Sequence, residues 1–148
     1  MQSSFTVDLY EPADLEKVLA IESASFGRDA WPKAAFLDYF HQCPDLFLVA
    51  RRGRKLAGYT ITSASSRNAE LVSIAVDPKE RRKGIAWKLL DRTKEKLAGR
   101  RLKTWWLMVD IRNESAIEFY RRYGFAVTRR VKRYYGPGRD AWRMRLAL

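Results

Sequence analysis

The chain has 148 residues, a length that fits one domain able to bury a hydrophobic core without disulfides or metals. Its 47% apolar and 13% aromatic content excludes a disordered chain, and its single cysteine, Cys43, excludes an internal disulfide, with no Cys/His cluster to hold zinc. Lysine and arginine number 29 against 17 aspartate and glutamate, a formal net charge of +12 that attracts polyanions without naming one.

Met1 to Asp8 lacks a basic stretch followed by apolar residues, so no signal peptide is expected. No window approaches the ~18 uninterrupted apolar residues of a membrane span. A soluble, cytoplasmic protein of one domain, residues 1–148, is the expectation. Phe5 to Leu9 alternates like a first strand. Pro12 sits where a helix starts, and Leu15, Val18, Leu19 and Ile21 have the three-to-four spacing of an amphipathic helix. A second helix opens at Pro32 and carries Phe36, Tyr39, Phe40 and, near its end, His41. Asp45 to Arg51 reads as a strand that turns through Arg52-Gly53-Arg54 into Leu56 to Ser63, a hairpin.

Glu70 to Val76 is the next strand. A helix from about Gly84 to Leu97 follows, with Trp87, Leu89, Leu90 and Leu97 as its apolar positions and Gly99 as its stop. Trp105 to Val109 is a strand, and Asn113 is a good N-cap for a helix that Gly124 ends. Phe125 to Tyr135 and Ala141 to Leu146 read as a closing hairpin around Gly136-Pro137-Gly138. The order is one strand, two helices, three strands, helix, strand, helix and two strands. That order predicts an α/β (α+β) fold, a mixed and largely antiparallel sheet of about seven strands with helices on both faces.

The stretch from Ile74 to Trp87 is the most informative. A strand, Ile74-Ala75-Val76, leads through Pro78 into Arg81-Arg82-Lys83, and Gly84 opens a helix at Ile85-Ala86-Trp87. Helix-start amides point outward unpaired, the helix dipole adds positive potential, and glycine lets backbone approach a phosphate. Alone, the same stretch is also compatible with a solvated basic loop.

Arg81-x-x-Gly84-x-Ala86 after Val76-x-Pro78 resembles the acyl-coenzyme A signature of the GNAT superfamily of N-acetyltransferases. Asn113-x-x-Ala116-x-x-x-Tyr120-x-x-x-Gly124-Phe125 is similar to that family's later segment, at a matching distance. The tail from Tyr134-Tyr135 through Gly138-x-Asp140-Ala141 to Met144 resembles the protein N-terminal acetyltransferases of the RimI and Ard1 types, and Ile21-Glu22 with Phe26 and Trp31 echoes their first helix.

The resemblance implies an acetyl-coenzyme A-dependent N-acetyltransferase. It assigns the acetyl carbonyl and pantetheine to backbone amides of Ile74, Ala75 and Val76, and the pyrophosphate to Arg81, Arg82, Lys83, Gly84, Ile85, Ala86 and Trp87. Asn113 would contact the pantetheine arm, Tyr120 would be the general acid that protonates the leaving thiolate, and Tyr134 and Tyr135 would bind the acceptor. Met108 departs from the pattern, because the bacterial alanine acetyltransferases carry a glutamate there, proposed as the base. Alternation puts Trp106, Met108 and Asp110 on one face, so Asp110 through a water, or Glu22 on the first helix, is the candidate base.

A missing strong base favours a low-pKa acceptor. An α-amine at ~7.7–8.0 costs about 3.4 kcal/mol less to deprotonate than a lysine at ~10.4. The expected partners are therefore acetyl-coenzyme A and a protein or peptide N-terminus, ribosomal proteins included, with no membrane and no sequence-specific nucleic acid. The alternatives are a small-molecule amine as acceptor, or a basic nucleic-acid-binding module. The scattered Lys and Arg and the lack of a recognition helix weigh against the module.

Overall fold

The computed structural model describes residues 4–148. Of the segment read for a leader, Met1 to Ser3 lie outside the described residues. In chain order the elements are β1 (Thr6–Leu9), α1 (Leu15–Phe26), α2 (Lys33–Gln42), β2 (Phe47–Arg52), β3 (Lys55–Ala64), β4 (Asn68–Val76), α3 (Ile85–Ala98), β5 (Thr104–Asp110), α4 (Glu114–Tyr123), β6 (Ala126–Val131) and β7 (Ala141–Ala147). The seven strands are ordered β1-β2-β3-β4-β5-β7-β6. The pairs β1–β2, β2–β3, β5–β7 and β6–β7 are antiparallel, while β4–β5 is parallel. This is the mixed, largely antiparallel sheet that the element order predicts. Among the described residues no helix is long and apolar enough to cross a membrane.

The chain gathers into two compact units, one running up to Ser63 together with Val72–Arg100, the other formed by Ala64–Leu71 and Arg101–Leu148. In the first unit the apolar run of β2 is buried on both sides. Phe47 and Val49 join a cluster with Leu15, Val18 and Ile21 of α1 and Phe36 of α2, while Leu48 and Ala50 join one with Ile85 and Leu89 of α3. Strand alternation thus sends successive residues to opposite helix layers, which is why the stretch shows no polar positions. Each fully buried leucine here contributes roughly 1.5–3 kcal/mol. Arg51 on β2 donates to Asp14 through both guanidinium nitrogens, at 2.7 and 2.6 Å, and pins the start of α1 to the sheet.

The buried residues of α3 are Ile85, Leu89, Leu90, Thr93 and Leu97. Trp87, expected among its apolar positions, is instead 39% exposed, because it lies two residues from Ile85 and so turns away from the face that Ile85 and Leu89 share. Gly58 on β3 brings the two central strands together. A Cβ there would stand 2.9 Å from the carbonyl oxygen of Ala75 and 3.3 Å from Val76 Cγ2.

In the second unit β4 enters beside β5, with Asn68, Ala69 and Glu70 opposite Thr104, Trp105 and Trp106. β5 pairs along its full length with β7, from Thr104 opposite Ala147 to Asp110 opposite Ala141. Burial alternates down β5. Trp105, Leu107 and Val109 are buried and Trp106, Met108 and Asp110 half-buried, which places the latter three on one face as alternation predicts. On the buried side, Trp105 meets the rings of Tyr123 at the end of α4 and Phe125 just beyond it. Asn113 caps α4 by accepting from the amide of Ala116 at 3.3 Å. Gly124 ends it at φ +127°, with Leu146 Cδ1 3.2 Å from where a Cβ would stand.

The closing hairpin is shorter than the sequence suggests. β6 stops at Val131, and Lys132 to Gly138 form turns rather than strand. Asp140 terminates the ladder by taking the Arg133 amide at 3.0 Å and the Arg130 guanidinium at 2.7 Å, and Arg133 itself adopts φ +59°. Tyr134 and Tyr135 therefore stand on a turn, not as a strand pair.

Candidate active site

The cofactor segment expected from the sequence lies in the first unit. Beyond β4, the Asp77 amide donates to the Ala57 carbonyl at 2.8 Å, and its carboxylate accepts from the Lys79 amide at 2.9 Å. One 3-10 turn, Pro78–Glu80, follows. Arg82 then takes φ +64° and Gly84 φ +77°, two left-handed residues straddling Lys83. Alternating backbone hands of this kind turn successive amides toward one point and make an anion-binding concavity. The concavity runs into α3, whose first turn holds no acidic residue and whose N-cap, Gly84, has no side chain to occupy the amides of Ile85, Ala86 and Trp87.

Not every cation of the segment faces outward. The Arg81 Nε donates back to the Val76 carbonyl at 3.2 Å and its Nη2 to Ser25 Oγ on α1 at 3.3 Å, so Arg81 braces the loop. Glu80, which the motif reading passes over, is buried and takes three cations. Arg52 reaches its Oε2 at 2.9 Å, Lys55 the same oxygen at 3.3 Å, and Lys83 its Oε1 at 3.3 Å. Burial alone would raise the Glu80 pKa, but hydrogen bonds from Lys55 and Lys83 and the charge of Arg52 outweigh it and hold the carboxyl below its ordinary value. A glutamate among so many basic residues is the signal that could have marked it.

The two carboxylates considered as bases are both occupied. Glu22 on α1 is 2% exposed. One of its oxygens accepts from the Tyr59 hydroxyl and, at 3.4 Å, from Ser73 Oγ, while the other accepts from the Trp31 amide at 2.9 Å. Burial, reinforced by the Glu22 charge, raises the Tyr59 phenol far above its ordinary value, so Tyr59 stays a donor. Glu22 thus ties α1 to β3, β4 and the chain entering α2. In the second unit Asp110 accepts from the Arg112 amide at 2.9 Å and side chain at 3.2 Å, and from Arg139 at 3.4 Å. The hydrogen bonds from Arg112 lead in holding its pKa down, which weakens it as a proton acceptor.

Tyr120 sits in the last turn of α4, edge-on to Phe125 at 5.9 Å between ring centroids. Its ring keeps some exposure, but the protein packed around the hydroxyl desolvates it and pushes its pKa up to about 12. Among the described residues no group hydrogen-bonds that hydroxyl. The turn carrying Tyr134 and Tyr135 lies within electrostatic reach of it. The two rings stand at 90° with centroids 4.9 Å apart, and they are 49% and 37% exposed. Arg139 lies over Tyr135 at 5.6 Å. Burial raises the Tyr135 pKa first, and the charges of Tyr134, Asp110 and Tyr120 add to it, which places these groups within electrostatic reach of one another.

One further acid stands in this corner. Glu70, the first residue of the strand as read from sequence, is half-buried, and desolvation raises its carboxyl against the opposing pull of Arg143. Its charge in turn raises Tyr134. An acid at the head of a strand that carries no other charge was the available signal. His41 lies at the end of α2 and Cys43 is a free, buried thiol, and among the described residues no cluster of His, Cys, Asp and Glu can hold a metal.

Three comparisons bear on this arrangement. The Acetyltransferase (GNAT) family profile matches residues 15–125. The N-alpha-acetyltransferase RimI of Mycobacterium tuberculosis is 33% identical over 146 residues, covering 95% of this chain and 90% of that protein. The [ribosomal protein bS18]-alanine N-acetyltransferase of Escherichia coli is 30% identical over 135 residues, covering 91% and 89%. The crystal structure of Ard1 from Thermoplasma volcanium superposes with a TM-score of 0.92 at 28% identity, covering 97% of each chain.

Proposed function

Because this chain belongs to the acetyltransferase (GNAT) family, as an acetyl-coenzyme A-dependent N-acetyltransferase, we propose that the amine it acetylates is the N-terminal α-amine of a protein. The observation that carries the reading is the exposed Tyr134–Tyr135 turn, whose rings stand at 90° with centroids 4.9 Å apart and which lies within electrostatic reach of Tyr120. Two aromatic rings at right angles beside the acid offer walls for an extended peptide end. Two relatives at 30% identity or more are named an N-alpha-acetyltransferase and a ribosomal-protein alanine N-acetyltransferase, which supports the same acceptor.

Roles follow residue by residue. The amides from Arg82 to Ala86, with Lys83, hold the pyrophosphate, since the amides of a helix start and positive charge both favour a fixed anion. Backbone amides of Ile74, Ala75 and Val76 serve the pantetheine and the acetyl oxygen, where a single well-placed donor is worth about 3 kcal/mol to a developing oxyanion. Asn113, whose side chain accepts from the Ala116 amide as a cap, is the residue assigned to the pantetheine arm.

Tyr120 donates to the sulfur. A phenol near 12 keeps its proton at any working pH. An ordinary thiol titrates at ~8.5, so full transfer from such a phenol would be uphill in water. The enclosure that raises the phenol raises an adjacent thiolate as well, because both pay for carrying charge out of water. Donation then begins as a hydrogen bond and completes as charge builds on sulfur. Synthetic peptides with varied free N-termini, assayed for coenzyme A release beside an N-blocked lysine peptide, test the acceptor. Faster transfer to free N-termini is expected, and faster transfer to the lysine would overturn it.

A further inference from the structure

The positive charge of this chain is unevenly placed. The second unit holds 13 of the 29 lysines and arginines but only five of the 17 aspartates and glutamates. Where an acid is near, an arginine takes it. Arg112 and Arg139 hold Asp110, and Arg130 holds Asp140. Among the described residues no carboxylate pairs with Arg129, Arg143 or Arg145.

Strand pairing gathers those three. Arg143 stands opposite Met108 and Arg145 opposite Trp106, so both are on the face turned away from Trp105, Leu107 and Val109. On the other face Trp105 meets Tyr123 of α4. A bulge in β6 between Val127 and Arg129 puts Arg129, rather than Thr128, opposite Arg143. Directly opposed side chains stand about 4.5–5.5 Å apart at Cβ, and like charges so placed repel. Arg145 lies two residues farther along β7, about 7 Å away. Arg129 and Arg145 are exposed. Arg143 is half-buried and lays its guanidinium on the Trp106 ring at 4.3 Å, which fixes the group flat and leaves its edge donors for a carboxylate. Of the two acids on this face, Asp110 is already held, and Glu70 feels the Arg143 charge without an ion pair. The patch is therefore short of anions, and a bound one would relieve its internal repulsion.

The aromatic rings decide which anion suits it. Single-stranded nucleic acid binds by stacking bases on free rings. Here Trp106 is covered by Arg143, Trp142 lies under Arg130 at 5.6 Å, and Tyr134 and Tyr135 pack on each other. An extended peptide asks for something else, acidic side chains repeating on one side every ~7 Å, and that is the spacing of Arg143 and Arg145 along β7. The patch also begins beside the reactive corner. Tyr135 lies within electrostatic reach of both Asp110 and Tyr120, and Asp110 stands opposite Ala141 at the start of β7. From that pair Arg143 is about 7 Å along the strand and Arg145 about 13 Å. At ~3.3–3.6 Å per residue, a peptide with its amine in the corner meets them from about its third to its sixth residue.

We propose, resting on the reading of this protein as an N-terminal acetyltransferase, that Arg129, Arg143 and Arg145 form an acceptor subsite that selects protein N-termini carrying acidic side chains from about the third to the sixth residue. The carboxylates dock on the guanidinium edges by charge-assisted hydrogen bonds. The contact lies away from the reacting atoms, so it acts on binding of the acceptor and leaves the chemical step alone.

The test uses the full chain and peptides identical except at those positions, which carry glutamate, alanine or lysine. At low salt kcat/KM should be about tenfold higher for the glutamate peptide than for the alanine one, and lower still for the lysine peptide, with kcat at saturation within about twofold. The preference should shrink as salt rises to about 0.5 M, because the pairs are exposed. The double variant Arg129→Gln/Arg145→Gln should remove most of it through KM, and Arg145→Glu should tilt it toward the lysine peptide. Arg121→Gln/Arg122→Gln, which removes the same charge from α4, should keep it. Equal kcat/KM for the three peptides, or equal losses in the two double variants, overturns the subsite. So does a mixed-sequence RNA that competes with the glutamate peptide and whose affinity depends on Arg129 and Arg145 but not on Arg121 and Arg122, since the face then belongs to nucleic acid. If no free N-terminus is acetylated at all, the acceptor reading falls and the subsite with it, an outcome distinct from acetylation without preference.

Discussion

The loop after β4 and the corner around Tyr120 treat charge in opposite ways. In the loop, Glu80 is saturated by three cations and held below its ordinary pKa, and the rest of the apparatus is backbone amide and permanently charged side chain. In the corner, Glu70, Tyr120, Tyr134 and Tyr135 are all raised by burial. A site for a fixed anion is best made from groups that never titrate. A site that moves protons needs groups whose ionisation is held back, and desolvation does that.

Four perturbations test this contrast. The largest effect is expected from Tyr120→Phe, which should lower kcat about 10²–10³-fold while the Kd for acetyl-coenzyme A, measured by calorimetry, stays put. A phenylalanine variant running at the wild-type rate would reduce the corner to a second binding surface. Gly58→Ala attacks the loop side through the strand beneath it. With the Ala75 carbonyl 2.9 Å from the new methyl, about 1–3 kcal/mol of stability should be lost, read as a lower Tm, and cofactor affinity should fall with it.

Gly84→Ala separates conformation from packing. Nothing lies within 4 Å of the added Cβ, but φ is +77°. The left-handed penalty of about 1–2 kcal/mol should therefore appear as roughly tenfold weaker acetyl-coenzyme A binding, with kcat at saturation nearly unchanged. A larger loss in kcat than in affinity would mean that the loop takes part in the chemistry. The smallest effect is in the acid limb of stability. Glu80 titrates lower folded than unfolded, so its contribution is complete above its unfolded value of about 4.5 and is lost as pH falls through the folded value. Glu80→Gln should flatten the decline of Tm below about pH 4.5, a change visible by differential scanning fluorimetry between pH 2 and 6. An unaltered acid limb would show that the three-cation cluster does not hold the loop.

Local order in the chain determined much of this molecule. The strand-loop-helix of Ile74 to Trp87, the cap at Asn113, the stop at Gly124 and the alternating face of Trp106, Met108 and Asp110 all follow from short-range rules, because an anion loop, a helix end or a strand face is made by residues adjacent in sequence. The tertiary structure alone decided what each acid does. Glu22 and Asp110 stand equally as candidate bases in the sequence, yet one is enclosed by Tyr59, Ser73 and the Trp31 amide and the other is gripped by Arg112 and Arg139. Glu70 reads as an ordinary strand residue, yet it stands unpaired near Tyr134 and on the face of Met108. The ionisation of a carboxyl depends on neighbours that burial and strand pairing bring from tens of residues away, and no spacing within the chain encodes that field.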